Sequence, residues 1–344
     1  MSVRRSILGE IGVRDGQWIV GVDVGSLVRR LLLFDRTVIK SSRLKEVPFL
    51  VRTFGKVGFT DLVNSGFLVF SCGFTSLAVD FNRDGVRSVP LDHFTFGIVS
   101  AANPDADLRS ELRALQSIPG LKNAERASLE ETVWGSLTRQ PPTYGQDLLS
   151  QVESDLRRNT PALKAALVER LGEEMGGSLL PIGEIAIEVE EPNSRVFHIK
   201  NSLSESFGIS PQKTHLLLQN SVSAVANLNQ RLADMQVCSA ITGFRDCEAP
   251  LLFGKLAGLI APLNPQTVEK EFERVIELAD IPDFKPGQKV NVDLLLKVRE
   301  SAECREFREW LATLEDLSDA EIKRMVASIK SKVAPLPAAQ AANW

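Results

Sequence analysis

Histidine is scarce in this 344-residue chain. There are only three, His93, His198 and His215, and none stands at metal-ligand spacing from any of the four cysteines. That excludes a zinc motif of the cysteine–histidine type read from spacing. Cys72, Cys238, Cys247 and Cys304 are too few and too scattered for a disulfide framework, so reduced thiols and a cytoplasmic location are expected. Tyrosine occurs once, as Tyr144, which leaves stacking on nucleic-acid bases to phenylalanines that mostly sit on apolar stripes. No apolar run approaches the ~18–20 residues that span a bilayer, and no membrane partner is expected. Arg4 and Arg5 precede neither a long apolar stretch nor a small-residue cleavage site, so no secretory signal is expected. Neither G-x-G-x-x-G nor G-x-x-x-x-G-K-[ST] occurs.

What is present is ordinary for a folded protein: 44% apolar residues and 24% charged ones, enough for two domains or one large one. The net charge of −4 is uneven. Residues 1–150 hold 18 Lys/Arg against 16 Asp/Glu, and the remainder hold 22 against 28. Neither half is basic enough to indicate nucleic acid by charge alone.

The pattern changes along the chain. WIVGVDV and RTVIKSS are strand-like, with SLVRRLLLFD between them as a short helix for which Ser26 is the expected N-cap. Helical turns then end at Gly55 and Gly66, and FLVFSCGF, SLAVDF and VRSVPLDHFTFGIVS read as strand-like runs, the last two separated by NRDG as a hairpin signal. From Asp105 the period is helical. Leu108, Leu112, Leu115 and Ile118 form one stripe and Leu129, Val133 and Leu137 the next. Thr160-Pro161 opens a helix carrying Leu163, Leu167 and Leu171. Ile185, Ile187 and Val189 alternate with glutamates before EPNS, a hairpin with one wet face. A long stripe follows through Leu218, Val222, Val225, Leu228, Leu232 and Met235. Further helices are expected after Asn264-Pro265, across Leu294–Leu314, and after the Ser318/Glu321 capping box. The expected fold is α+β: a mixed α/β unit over 1–120, then a mainly helical region over 121–333 with one inserted hairpin near 184–200, and a flexible tail over 334–344.

Three stretches carry possible chemistry. VGVDVGS resembles the strand and Asp-x-Gly turn that open actin- and sugar-kinase-like ATPases, but the second Asp-Gly loop and Gly-rich adenosine loop of those folds have no counterpart here. The same region, with Asp23 ending WIVGVD and Glu46 following VIKSS, resembles the start of PIN-type nucleases. That resemblance implies a metal-dependent nuclease or phosphodiesterase with Mg²⁺ or Mn²⁺ held by Asp23, Glu46 and further acids, Asp61, Asp80 and Asp92 being candidates. Eight cations between Arg29 and Lys56 face only Asp35 and Glu46, a local surplus that suits a phosphate backbone. Read without the resemblance, Asp23 is a helix cap and the cations a solvated face. The third stretch, DFNRDG, matches the opening of an EF-hand-type calcium loop, with Asp80, Asn82 and Asp84 at the ligand positions. Arg87 and Leu91 stand where an apolar residue and a bidentate Glu belong, and a hairpin turn also explains the stretch.

His93 follows Asp92 directly, but neighbours on a strand face opposite ways, so a hydrogen-bonded or surface histidine is expected there. His198 and His215 have no nucleophile at a recognisable spacing, and Cys238 and Cys247 read as buried small apolar groups. The balance favours a cytoplasmic interaction or regulatory protein acting through its helical C-terminal region on a protein partner, without cofactor. The nuclease reading, with Mg²⁺ or Mn²⁺ and nucleic acid, is the alternative.

On the nuclease resemblance, Mn²⁺ raises the melting temperature and Asp23→Asn abolishes the rise. On the calcium-loop match, Ca²⁺ does so and Asp80→Asn abolishes it. A ligand at about 100 times its dissociation constant stabilises by about 2.7 kcal/mol, a readable shift. Melting curves indifferent to Mg²⁺, Mn²⁺ and Ca²⁺ would dismiss both.

Overall fold

RTVIKS buries side chains on both of its faces, Ile39 on one side and Val38 on the other, as expected of a strand inside a parallel sheet. A computed structural model describes residues 5–8, 13–14, 17–18, 24–41, 44, 46–72, 75–79, 90–100, 104–158, 163–164, 166–168, 185–193, 196–240, 289–313, 320, 324 and 327. The chain begins with β1 (Arg5–Leu8), a small hairpin of β2 (Val13–Arg14) and β3 (Gln17–Trp18), and helix α1 (Val24–Leu33). Then come β4 (Arg36–Ser41), α2 (Val47–Phe54), α3 (Lys56–Asn64) and β5 (Leu68–Cys72). Gly55, at φ 70°, breaks α2 from α3.

β6 (Thr75–Val79) and β7 (His93–Ser100) follow, then α4 (Pro104–Leu112), a 3-10 turn at Arg113–Ser117, α5 (Asn123–Gly135), β8 (Leu137–Arg139) and α6 (Tyr144–Arg157). The later elements are β9 (Ile187–Asn193), β10 (Val196–Asn201), α7 (Leu203–Phe207), α8 (Pro211–Cys238), α9 (Val292–Arg299) and α10 (Ala302–Thr313).

Two four-stranded sheets organise these elements. The first is parallel, in the order β1-β4-β5-β8. Crossovers that advance in one direction place their helices on one face. There Ile39, Leu68 and Phe70 meet Leu27, Leu31, Phe59 and Leu62. The second sheet is antiparallel, in the order β6-β7-β10-β9. Its inner residues Phe94, Phe96, Phe197 and Ile199 share a core with α6 and α8, and Val38 of the parallel sheet reaches that same core. Gly145 lets α6 approach closely: a Cβ there would lie 2.7 Å from Thr75 Cγ2.

The fold is therefore α+β with an N-terminal α/β unit, as the sequence pattern indicates. Several local expectations change. α1 starts at Val24, so Ser26 lies within its first turn instead of capping it. Leu137 leaves the helical stripe and pairs with Phe70 as part of β8. The hairpin expected near 184–200 is present as β9 and β10, and β10 also pairs with β7. The region around Leu294–Phe307 is two helices, α9 and α10. The helix expected after Asn264, the Ser318/Glu321 capping box and the 334–344 tail lie outside the described residues. Among the described residues, no helix is long and apolar enough to cross a membrane.

α8 runs 28 residues. Ser210 caps it by accepting from the Lys213 N–H, and Pro211 fills its first turn. Its inward stripe carries one buried acid, Asp234, which accepts from the Tyr144 hydroxyl at 2.6 Å and pairs with buried Lys40 of β4. One helix turn earlier, Asn229 donates to Asp155 of α6 at 2.8 Å. In the other core cluster, Arg299 donates to the carbonyls of Phe34 at 2.6 Å and Asp35 at 2.7 Å, as well as to Leu31. Arg308 donates to Leu32 at 2.9 Å. Two guanidinium groups from α9 and α10 thus satisfy carbonyls at the C-terminal end of α1, where cations are favoured. Burial, reinforced by neighbouring Arg308, pulls the Arg299 guanidinium down to about 10.

Removing one partner of a buried ion pair strands the other. Asp234→Ala should therefore cost about 3–5 kcal/mol in urea unfolding, and pairing Asp234→Leu with Lys40→Met should cost much less. Equal losses from the single and double variants would show that the charges themselves do not hold α8 to β4.

Candidate metal centre

In β7 and β10 an inward phenylalanine sits beside an outward histidine: Phe94 next to His93, and Phe197 next to His198. The antiparallel register sets Phe94 opposite Phe197 and His93 opposite His198. Burial of the phenylalanines consequently presents the two imidazoles together on the outer face of the sheet. Their rings stack with centroids 4.4 Å apart and 9° between planes. On the far side of His198 the same row continues to Glu190 of β9.

Asp92 completes the site from the turn that leads into β7. The turn is fixed at both ends: the His93 N–H donates to Pro90 O at 3.0 Å, and the Ile199 N–H donates to Asp92 O at 2.9 Å. The Asp92 carboxylate then spans both rings, with Oδ1 2.8 Å from His93 Nδ1 and Oδ2 2.9 Å from His198 Nε2. One ligand atom from each of Asp92, His93 and His198 lies within 4.8 Å of the others, and this is the one such trio found among the described residues. Partial burial opposes the ionised form of Asp92. Hydrogen bonds from His93, its own backbone N–H and His198 outweigh that and hold the carboxyl below its usual range. The third histidine borders the same corner: His215 Nδ1 lies 2.7 Å from Leu91 O, and its ring stacks on Phe94 at 5.6 Å.

The expectation for Asp92 and His93 needs correction in one respect. Asp92 belongs to a turn, so strand alternation does not separate it from His93, and the two side chains are bonded. His198 acquires its partner by strand pairing 106 residues away, which no sequence spacing encodes. The local signal that was available is the pair of short alternating runs HFTF and VFHI, each placing a histidine outward beside a buried phenylalanine.

The other candidates fall elsewhere. Asp23, Asp80, Asn82 and Asp84 lie outside the described residues. Glu46 is buried at the turn before α2, and Asp61 lies in α3. Among the cations between Arg29 and Lys56, Arg30 and Lys40 are buried, and Lys56 pairs with Glu125. Of the α8 stripe, Leu218, Val222, Val225, Leu228 and Met235 are buried in the core, and half-buried Leu232 packs against it. No protein-family model, curated protein or solved structure matches this chain.

Two imidazole nitrogens and one carboxylate oxygen form a donor set for Zn²⁺, Fe²⁺, Ni²⁺ or Cu²⁺, and a poor one for Ca²⁺ or Mg²⁺. With three protein donors, and with His93 and His198 each 21% exposed, further coordination positions open to solvent. An ion lies in the plane of each ring that binds it. The nearly parallel rings therefore have to splay to share one, a side-chain rotation on the solvent side of the sheet.

Cys72, at the end of β5, offers no competing thiolate. Burial first and Glu46 second push its thiol up to about 12, against the opposing pull of Arg139. Iodoacetamide at about pH 8 should leave Cys72, Cys238 and Cys304, all buried, unlabelled in the native protein and label them in urea, as mapped by mass spectrometry. Native-state labelling of Cys72 would show instead that the end of β5 opens to solvent.

Proposed function

We propose that this protein is a transition-metal-binding protein, with Zn²⁺ the first-choice ion, and that Asp92, His93 and His198 hold the ion in an open, exchangeable site. The observation that carries this reading is the single carboxylate hydrogen-bonded to two stacked imidazoles on adjacent strands. The donor chemistry supports a borderline-soft cation, and the solvent-side position supports exchange over a purely structural role. The apolar stripe behind the expectation of a helical docking surface faces inward, so it lends no support to a protein partner. A regulatory role is better placed at the metal site, where an ion would tie the Pro90–Asp92 turn to β10.

Calorimetric titration of untagged, chelator-treated protein tests this directly. Zn²⁺ should bind once per chain, while Mg²⁺ and Ca²⁺ give no saturable heat. His93→Ala and His198→Ala should each abolish the zinc isotherm, and His215→Ala, outside the donor trio, should retain it. Binding should weaken as the pH is lowered, because protons compete for the imidazoles. An absent isotherm, or one that survives the His93→Ala/His198→Ala double change, would overturn the proposal.

A further inference from the structure

We infer that Glu190 is the positioning residue of this centre: it fixes the ring of His198 so that Nε2, and not Nδ1, faces the ion. The inference rests on the zinc reading and adds a residue outside the donor trio. The His198 ring has a carboxylate on each nitrogen-bearing edge, Asp92 Oδ2 at 2.9 Å from Nε2 and Glu190 Oε2 at 3.6 Å from Nδ1. The two nitrogens point away from each other, so Glu190 lies behind the ring as seen from the ion position and cannot ligate the same ion while Nε2 does.

A carboxylate there has a defined use. A metal-bound imidazole holds its orientation and tautomer by donating its other N–H to an acceptor, commonly a carboxylate. With the proton on Nδ1 directed to Glu190, the lone pair on Nε2 is directed to the ion.

Glu190 is itself held. Lys200 is the register partner of Glu188, yet its ammonium reaches diagonally to donate to Glu190 Oε1. The charged groups facing His198 are thus Asp92, Glu190 and, through Glu190, Lys200 with Glu188. Lys200 also holds the Glu190 carboxylate on the Nδ1 side, away from the ion. Ion capture has to splay the two stacked rings, and Glu190 then limits the orientations His198 adopts.

The test uses full-length protein labelled with ¹⁵N-histidine. With only three histidines in the chain, long-range ¹H–¹⁵N spectra hold three imidazole patterns, assignable with His215→Asn and His93→Asn. In the zinc-loaded wild type, His198 should show a protonated Nδ1 and a metal-bound Nε2. Glu190→Ala should lower zinc affinity about 10–100-fold and give His198 a mixed or inverted pattern, with the metal-free melting temperature little changed because Glu190 is largely exposed. Glu190→Gln, which still accepts a hydrogen bond, should restore the Nε2-bound pattern and part of the affinity. If Glu190→Ala binds zinc within about twofold of wild type and keeps the His198 pattern, the positioning role is wrong while the metal site stands. A wild type that binds no zinc, read before any variant, overturns both together.

Discussion

The pairing of Phe94 with Phe197 governs the arrangement of this molecule's outer sheet. Both rings are fully buried, and full burial of a phenylalanine is worth roughly 1.5–3 kcal/mol. A slip of one residue in either strand would expose a ring and turn a histidine into the core. The core thus sets the geometry of the imidazoles without touching them. Asp92 extends this control into the preceding turn, because the Ile199 N–H bonded to its carbonyl belongs to the strand that carries His198. Site and core are two faces of one register.

The remainder of the framework depends on polar contacts buried between elements that apolar packing alone would leave free to slide. α8 has an inward stripe long enough to pack at several offsets along the sheets. Asp234 removes that freedom, because Lys40 of β4 and the Tyr144 hydroxyl of α6 meet it at one position only. The Tyr144 phenol is pushed well above its ordinary range, by burial first and by Asp234 next, which keeps it a donor to Asp234. Asn229 and Asp155 repeat the device nearer the middle of the helix. Replacing a buried ion pair with apolar residues often leaves stability intact. What these groups supply is a single alignment of helix, parallel sheet and antiparallel sheet.

Much of this architecture is legible in the sequence, and the missing part has a physical reason. Alternation in 185–190, the stripe of α8 and the glycine stops at Gly55 and Gly66 are local signals, and each falls where an element or its end is found. β8 is three residues long and follows a helix whose period Leu137 happens to continue, so pairing with β5 decides its conformation. α6 carries a stripe, Leu148, Leu149, Val152 and Leu156, that matches no element expected from the sequence. The site shows the same division. Each histidine is placed by local alternation, but the centre exists only through pairing of strands more than a hundred residues apart. The acids that stand out in sequence, Asp23 and Glu46, do so by resembling other openings; Asp23 lies outside the described residues, and Glu46 is buried near Cys72.

The clamp of Arg299 and Arg308 on α1 has a consequence for how the chain is made. The carbonyls it holds belong to Leu31, Leu32, Phe34 and Asp35, so each hydrogen bond joins residues some 264–276 positions apart. During synthesis α1 leaves the ribosome long before α9 and α10, and its end must stay hydrated until they emerge. The N-terminal α/β unit can form its sheet early, yet its first helix reaches its final hydrogen bonding only when α9 and α10 arrive. A chain stopped short of Arg299 would carry an open helix end beside exposed core. Final hydrogen bonding of an early helix is thus tied to the arrival of a late helix pair.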